Sequence, residues 1–303
     1  MYQIQEFKSN GSDFIVLENA DKSNQLTINL NEGGRVTLFK HQGHIIISDL
    51  ETTSYSENFA AAILFPFANR IKDGMYSFKN NHYELPRNEG LNQNAIHGLV
   101  YDQLFSIGKR EEKESHGLVA LSYENQEFAS GFPFRYLIEF TYVLSDFGLK
   151  LKFNIKNVGE NTFPFTLGWH PYFKSTKISE SYLKFHAINK FVVDDRGIVT
   201  GKSILNEALK LQLGDVVLDD VYEVSSNMAE FVTPMYKVKI QTVGDDNYLQ
   251  IFTPKESNAI AIEPMVGISD SFNHKIGLKE LAPNKNYQKE WSLAITSLIQ
   301  NKK

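Results

Sequence analysis

Cysteine is absent from the 303 residues, which excludes disulfides, thiolate metal ligation, cysteine nucleophiles and iron–sulfur clusters. An excess of positive charge is missing too: 31 Lys and Arg stand against 36 Asp and Glu, a formal net charge of −5. A phosphate-binding face needs a basic stripe, so nucleic acid is not expected as a partner. No apolar run approaches the ~20 residues of a membrane helix. Met1 to Ala20 alternates polar and apolar residues and lacks the apolar core of a secretory leader. A cytoplasmic protein without a membrane partner is expected. There is no glycine-rich loop between a strand and a helix, no Walker-type lysine and no Gly-x-Ser-x-Gly elbow. Pro- or Ser-rich linkers, low-complexity runs and clear internal repeats are also absent, so residues 1–303 are expected to form one domain.

What is present favours strands. The chain carries 22 Phe and 14 Tyr, residues that fit a pleated surface better than a helix. The dominant period is two. In Leu149-Lys150-Leu151-Lys152-Phe153-Asn154-Ile155 every odd position is apolar and every even one polar, so one face is buried and the other wet. Tyr236 to Gln241 repeats the pattern, and Tyr136, Ile138, Phe140, Tyr142 and Leu144 make a longer aromatic stripe. Gln25 to Leu30, Arg35 to Phe39, Leu118 to Tyr123 and Tyr248 to Phe252 also read as strands. Turns are expected at Gly33-Gly34, Asn80-Asn81, Asp146-Phe147-Gly148 and Asp245-Asp246-Asn247. Asn80-Asn81 reads as a two-residue hairpin loop joining Tyr76-Ser77-Phe78 to His82-Tyr83, since Asn tolerates positive φ. Lys109 to His116 reads as a solvated hairpin end. Helical period appears only at Glu57 to Ile63 and Ile204 to Leu211. The expected class is all-β, with stacked antiparallel sheets.

Four segments set ionisable residues among aromatics and Pro/Gly punctuation. In Phe65-Pro66-Phe67-Ala68-Asn69-Arg70-Ile71-Lys72-Asp73-Gly74, an arginine in an apolar context requires acceptors, which a structural salt bridge or a ligand could supply. Asn94-Ala95-Ile96-His97-Gly98 ends an apolar step on a His-Gly pair, where a backbone or a ligand comes close. Taken alone, the segment favours a satisfied structural histidine. Leu167-Gly168-Trp169-His170-Pro171-Tyr172-Phe173 sets one histidine among aromatics where proline interrupts strand pairing. Aromatic faces stack on the C–H face of a sugar and a neighbouring histidine titrates near neutrality. An aromatic core cluster with His170 bonded to backbone is the alternative. Ala259-Ile260-Ala261-Ile262-Glu263-Pro264-Met265 reads as a buried strand ending on Glu263. Scarce water there can raise a carboxylate toward general-base range, or the group could partner Arg70. Two His and a Glu could also bind a metal. They lack the helical spacing of metalloprotease motifs, and His41 and His44 fall in a Gly-containing turn, so no metal is expected.

These segments resemble the aldose 1-epimerase (galactose mutarotase) family. Asn69-Arg70-Ile71 with Gly74, then Tyr83-Glu84-Leu85, Asn88 and His97-Gly98, is similar to its N-terminal pattern. His170-Pro171-Tyr172-Phe173 resembles its His-x-Tyr-Phe segment, Leu218-Asp219-Asp220-Val221-Tyr222 its Asp-containing sugar-binding segment, and Ile262-Glu263-Pro264 its C-terminal Glu-Pro segment. Order and spacing agree from about Gly11 to Ile295. Two departures stand out: Leu99-Val100-Tyr101 follows His97-Gly98 in place of a glycine-rich turn, and Gly168-Trp169 precedes His170 in place of small polar residues. They bear on the sugar more than on the chemistry.

The resemblance implies a galactose mutarotase-like β-supersandwich of large antiparallel sheets. It implies Glu263 as general base and His170 as general acid, with Arg70, His97 and Asp219, and Asn69 beside them, holding sugar hydroxyls. Asp219 is preferred to Asp220 because Tyr222 then falls on the family's next aromatic position. The implied activity interconverts the anomers of a free aldose without a cofactor, in a monomer or weak homodimer. Its pH profile would rise as Glu263 ionises and fall as His170 deprotonates. A hexose-6-phosphate mutarotase would need a basic cluster beside the four segments, and none is evident. A non-catalytic carbohydrate-binding domain would not require a matched acid and base.

Overall fold

The computed structural model describes residues 1–214, 216–244 and 247–299. The period-two segments are strands, because only the extended backbone turns such a pattern into one wet and one dry face. In Tyr136–Ser145 every second residue from Tyr136 to Leu144 is buried. Gly148–Asn157 and Tyr236–Thr242 alternate in the same way.

Among the described residues, twenty strands join into one hydrogen-bonded antiparallel sheet. Its N-terminal meander runs through Tyr2–Ser9, Ser12–Asn19, Gln25–Asn29, Arg35–His41 and His44–Ser48. From there the pairing crosses to Tyr172–Lys174, Ala259–Met265, Tyr248–Phe252 and Asp219–Val224. It continues through Tyr182–Val193, Ala229–Val232, Tyr236–Thr242 and Asn286–Ser297. The C-terminal strand then pairs with Gly148–Asn157, followed by Tyr136–Ser145, His116–Glu124 and Ser106–Glu112.

The two ends of this walk meet again. The Tyr2 N–H donates to the Lys113 carbonyl at 2.9 Å, the Ile4 N–H donates to Glu112 Oε1 at 2.7 Å, and Arg110 pairs with Glu6. A sheet that returns on itself faces its own inner surface across a shared core. Aromatics fill that core, with Phe140, Phe153 and Trp291 in consecutive contact at ring separations of 5.6 and 5.3 Å. The expected class of large antiparallel β-sheets is the one observed.

Four local expectations are corrected. The hairpin after Phe78 turns on Lys79-Asn80, one residue earlier than expected, because Phe78 pairs with Asn81 and both loop residues take positive φ. Such a loop matches the right-handed twist of its strands. Ile204 to Leu211 lies within the strand Val199–Gln212, not a helix. Its helix-like spacing arises at a bulge, where Leu205 and Asn206 stand opposite the single residue Ile188. The helix near Glu57 spans only Tyr55–Asn58, stopped by Phe59 in the left-handed region. The strand of Glu263 runs on to Met265. Of the turn expected at Asp245-Asp246-Asn247, the two aspartates lie outside the described residues.

Candidate active site

The middle of the sheet carries a polar pocket. Ala259–Met265 is buried along its whole length, a continuous apolar run broken only by Glu263. Glu263 stands in register with Gln250 of Tyr248–Phe252. Pro264 is tolerated beside it because the missing donor falls on the side where the neighbouring strand is interrupted. That neighbour breaks into Gly168–Trp169 and Tyr172–Lys174, and His170-Pro171 occupies the gap. The backbone of His170 is anchored there. Its N–H donates to the Ala62 carbonyl at 3.1 Å, and its carbonyl accepts from the Ala61 N–H at 2.8 Å. Its ring is left free of that duty.

His170 Nε2 lies 3.3 Å from Glu263 Oε1. Among the described residues, His170 Nδ1 and Glu263 Oε2 have no hydrogen-bond partner, nor does His97 Nδ1. The His97 ring meets that of His170 edge-on with centroids 5.1 Å apart, and packs on Phe59 at 4.7 Å. His97 adopts φ 65° directly after the short strand Ala95–Ile96, and its N–H donates to the Asn69 carbonyl at 3.0 Å. Gly98 follows at φ 83°, where a Cβ would stand 2.3 Å from the Phe65 carbonyl oxygen. The His-Gly pair thus marks a close backbone approach that swings the histidine into the pocket.

A relay of amides lines the opposite wall. Asn69 Nδ2 donates to Gln250 Oε1 at 3.1 Å, and Gln250 Nε2 donates to Asp219 Oδ1 at 2.7 Å. Arg70 Nε donates to Glu89 Oε1 at 2.7 Å, and Nη1 donates to Asn69 Oδ1 at 3.3 Å. Asp219 reaches the pocket, whereas Asp220 turns away to Lys190 at 2.8 Å. The cavity measures about 390 Å³. Glu263, His170, Arg70, His97, Asp219 and Asn69 all line it.

Burial sets the protonation of this site. It raises the pKa of Glu263 well above the usual carboxylate range; Asp219 adds to the rise and Arg70 opposes it. It lowers His170 to about 4 and lowers His97 as well, helped by His170 and Arg70. Partial desolvation, with the carboxylates of Asp220 and Glu89, raises Asp219 against the pull of Arg70. Burial therefore favours the uncharged form of each partner, a protonated carboxyl on Glu263 and a neutral imidazole on His170. This reverses the order that unperturbed groups would show, because the low-dielectric pocket penalises both charges.

The possible Glu263–Arg70 pairing does not occur; Arg70 pairs with Glu89. Glu89 and Gln250 were not anticipated from the sequence. Gln250 left a signal, as a polar residue in the middle of an otherwise apolar strand, Tyr248–Phe252. Glu89 left none beyond its place after Asn88. Tyr172 and Phe59 supply aromatic wall. Glu57 and Glu89 join Asp219 and Glu263 as acidic lining residues, against Arg70 as the single Lys or Arg among the described lining residues. Among the described residues, no three His, Asp or Glu side chains converge as a metal-binding group.

The chain is similar to known proteins over nearly its whole length. An uncharacterized protein of Escherichia coli K12, YihR, is 24% identical over 241 residues, covering 75% of this chain and 76% of YihR. A galactose mutarotase-like protein from Clostridium acetobutylicum has the same fold, with a TM-score of 0.86 at 20% identity over 98% of this chain and 99% of that one. The galactose 1-epimerase of Lactobacillus acidophilus superposes with a TM-score of 0.79 at 17% identity, over 98% and 99% of the two chains. Residues 13–294 match the model of the aldose 1-epimerase family. On that match the chain belongs to the aldose 1-epimerase family.

Proposed function

We propose that the protein interconverts the α and β anomers of a free, uncharged aldose, with Glu263 and His170 as its proton-transfer pair. The observation that carries this reading is their 3.3 Å approach inside a buried pocket walled by hydrogen-bonding side chains. Opening a cyclic hemiacetal requires one group to take the C1 hydroxyl proton while another protonates the ring oxygen. The O–H electron pair becomes the second bond of the aldehyde, and the C1–O pair leaves with the ring oxygen. A pair holding one proton is equipped for this.

That proton is favoured on Glu263 by burial. Its passage across the short gap to His170 Nε2 gives the carboxylate and imidazolium that opening consumes. Glu263 then accepts from the C1 hydroxyl and His170 donates to the ring oxygen. The pair is left as neutral acid and neutral imidazole, the forms that burial favours. Rotation about C1–C2 and closure on the opposite face reverse both transfers. Each positioned transfer contributes ~10²–10⁴-fold. Arg70, His97, Asp219 and Asn69 hold sugar hydroxyls in this reading, and Tyr172 and Phe59 offer faces to its C–H bonds.

The acidic lining supports a neutral sugar over a phosphosugar. Beside the proton-bearing Glu263, three further acidic side chains line the pocket with one guanidinium that is already paired with Glu89, and a phosphate would have to enter against them. Polarimetry on a panel of aldoses and their 6-phosphates tests the proposal. Acceleration of anomer exchange for free aldoses supports it, and a protein inert toward every free aldose overturns it.

A further inference from the structure

The hairpin formed by Tyr182–Val193 and Val199–Gln212 contributes no residue to the pocket wall, yet its tip lies against the pocket's arginine. Asp194 ties that tip into one shape. Its Oδ1 accepts from the N–H groups of Arg196 at 3.0 Å and Ile198 at 2.9 Å. Gly197 takes φ 72°, and a Cβ there would stand 2.5 Å from Arg70 Nη1 and 2.7 Å from Cζ. The glycine backbone therefore lies close against the guanidinium, and a side chain in its place would push the guanidinium aside. The Gly197 carbonyl is held in turn by Ser269 Oγ at 2.6 Å, and the neighbouring Asp270 N–H donates to the Arg70 carbonyl at 2.7 Å.

Arg196 reaches the same arginine by a second route. Its Nη2 donates to Asp73 Oδ1 and Asn94 Oδ1, both at 2.8 Å, and to the Asn92 carbonyl at 2.7 Å. The fully buried Asn94 passes the contact on, with Nδ2 donating to Glu89 Oε2 at 2.8 Å. The other carboxylate oxygen of Glu89 receives Arg70 Nε. One side chain thus aligns the carboxylate that aligns Arg70. A guanidinium held at Nε by Glu89 and confined beside Nη1 and Cζ by Gly197 loses little freedom when it binds a hydroxyl, which is how preorganisation gains affinity.

We propose that the hairpin tip is a clamp for the sugar-binding arginine, with Arg196 and Gly197 as positioning residues that act through Arg70 and touch no substrate. The role of Arg70 toward sugar rests on the function proposed above. The location of the clamp rests on the contacts alone. Loosening Arg70 weakens binding of sugar and transition state alike, so KM should rise with kcat nearly unchanged. Because Arg70 also holds the Glu263 pKa down, the alkaline limb of the rate profile should move to higher pH.

The test is a double-mutant cycle on the full chain with Arg196→Ala, Arg70→Met and both. Arg196→Ala should raise KM about tenfold, within the range for a hydrogen bond from a charged donor, and should have no further effect in the Arg70→Met background. Gly197→Ala should behave like Arg196→Ala. Fully additive KM effects would overturn the clamp while leaving the proposed function standing. If the wild type turns over no aldose, the functional reading fails. The clamp is then judged by the ¹H–¹⁵N signal of Arg70 Nε, assigned by its loss in Arg70→Met. That proton should exchange with solvent about tenfold faster or more in Arg196→Ala, since it is shielded by the Glu89 contact; unchanged exchange would overturn the clamp.

Discussion

Replacing Glu263 by Gln tests the proposed chemistry most directly. The side chain is 1% exposed and sits in a strand buried from Ala259 to Met265, so an amide of equal size keeps the packing and retains a donor and an acceptor toward His170. What it loses is the ability to take a proton from the C1 hydroxyl. A positioned proton transfer is worth ~10²–10⁴-fold, equivalent to ~3–5.5 kcal/mol of barrier. Sugar affinity should change by less than about tenfold, ~1.4 kcal/mol, because the lost interaction belongs to the transition state. The assay follows optical rotation after dissolving one pure anomer, with the spontaneous rate subtracted, and calorimetry reports binding. His170→Asn should cut kcat to a similar extent. The double variant should be scarcely worse than either single one, since groups that act in one step are not additive. Near-wild-type turnover in Glu263→Gln would refute the assignment and direct the search for the base to Asp219, the other pocket carboxylate with a raised pKa.

The pH dependence should be bell-shaped, with limbs that belong to the pair. Activity falls below about 4, where His170 takes a second proton, and falls again above the raised pKa of Glu263, where the pair loses its only one. A stability consequence has the opposite sign to an ordinary salt bridge. Between the unfolded and folded pKa values of Glu263 the native state binds the extra proton, so rising pH removes stability. Thermal scans should therefore show Glu263→Gln gaining on the wild type from pH 5 to pH 8, and a constant difference would contradict the burial argument. Gly98→Ala should cost ~2–5 kcal/mol, combining left-handed strain with the collision at Phe65; an unchanged Tm would count against that geometry. The kcat/KM for free glucose or galactose should exceed that for glucose 6-phosphate at fixed ionic strength, and a preference for the phosphate would overturn the neutral-sugar reading. Activity should survive EDTA, and loss restored by a divalent ion would recast the histidines and Glu263 as ligands.

The sheet was legible because its inner face is aromatic and its outer face charged, as in Leu149 to Ile155, where period two has no competing explanation. Legibility failed where a local irregularity imitates another period. At Leu205-Asn206 the bulge breaks the alternation and leaves apolar residues at helical spacing. The pocket residues announced themselves by incongruity: Glu263 at the end of four apolar residues, His170 between tryptophan and proline, Arg70 among phenylalanines. Partners were harder to read than residues. Nothing in the chain ties Arg70 to Glu89, 19 positions away, in preference to Glu263, because the choice is made by the return of the 88–98 segment over the pocket. The protonation order was equally hidden, since it depends on how completely the surrounding strands exclude water.

The place of Asn286–Ser297 in the sheet bears on how the protein is made. This strand follows the other described strands, yet it lies between Tyr236–Thr242 and Gly148–Asn157, bonded to both. Until it emerges from the ribosome, those two strands present open edges to each other and to anything else in the cell. Unpaired edges are where chains associate wrongly, and pairings this distant along the sequence form slowly. A nascent chain halted just before this strand would carry all of the pocket-lining residues and still hold its sheet open. A short segment mimicking Asn286–Ser297, supplied separately, has a ready-made slot in such a chain.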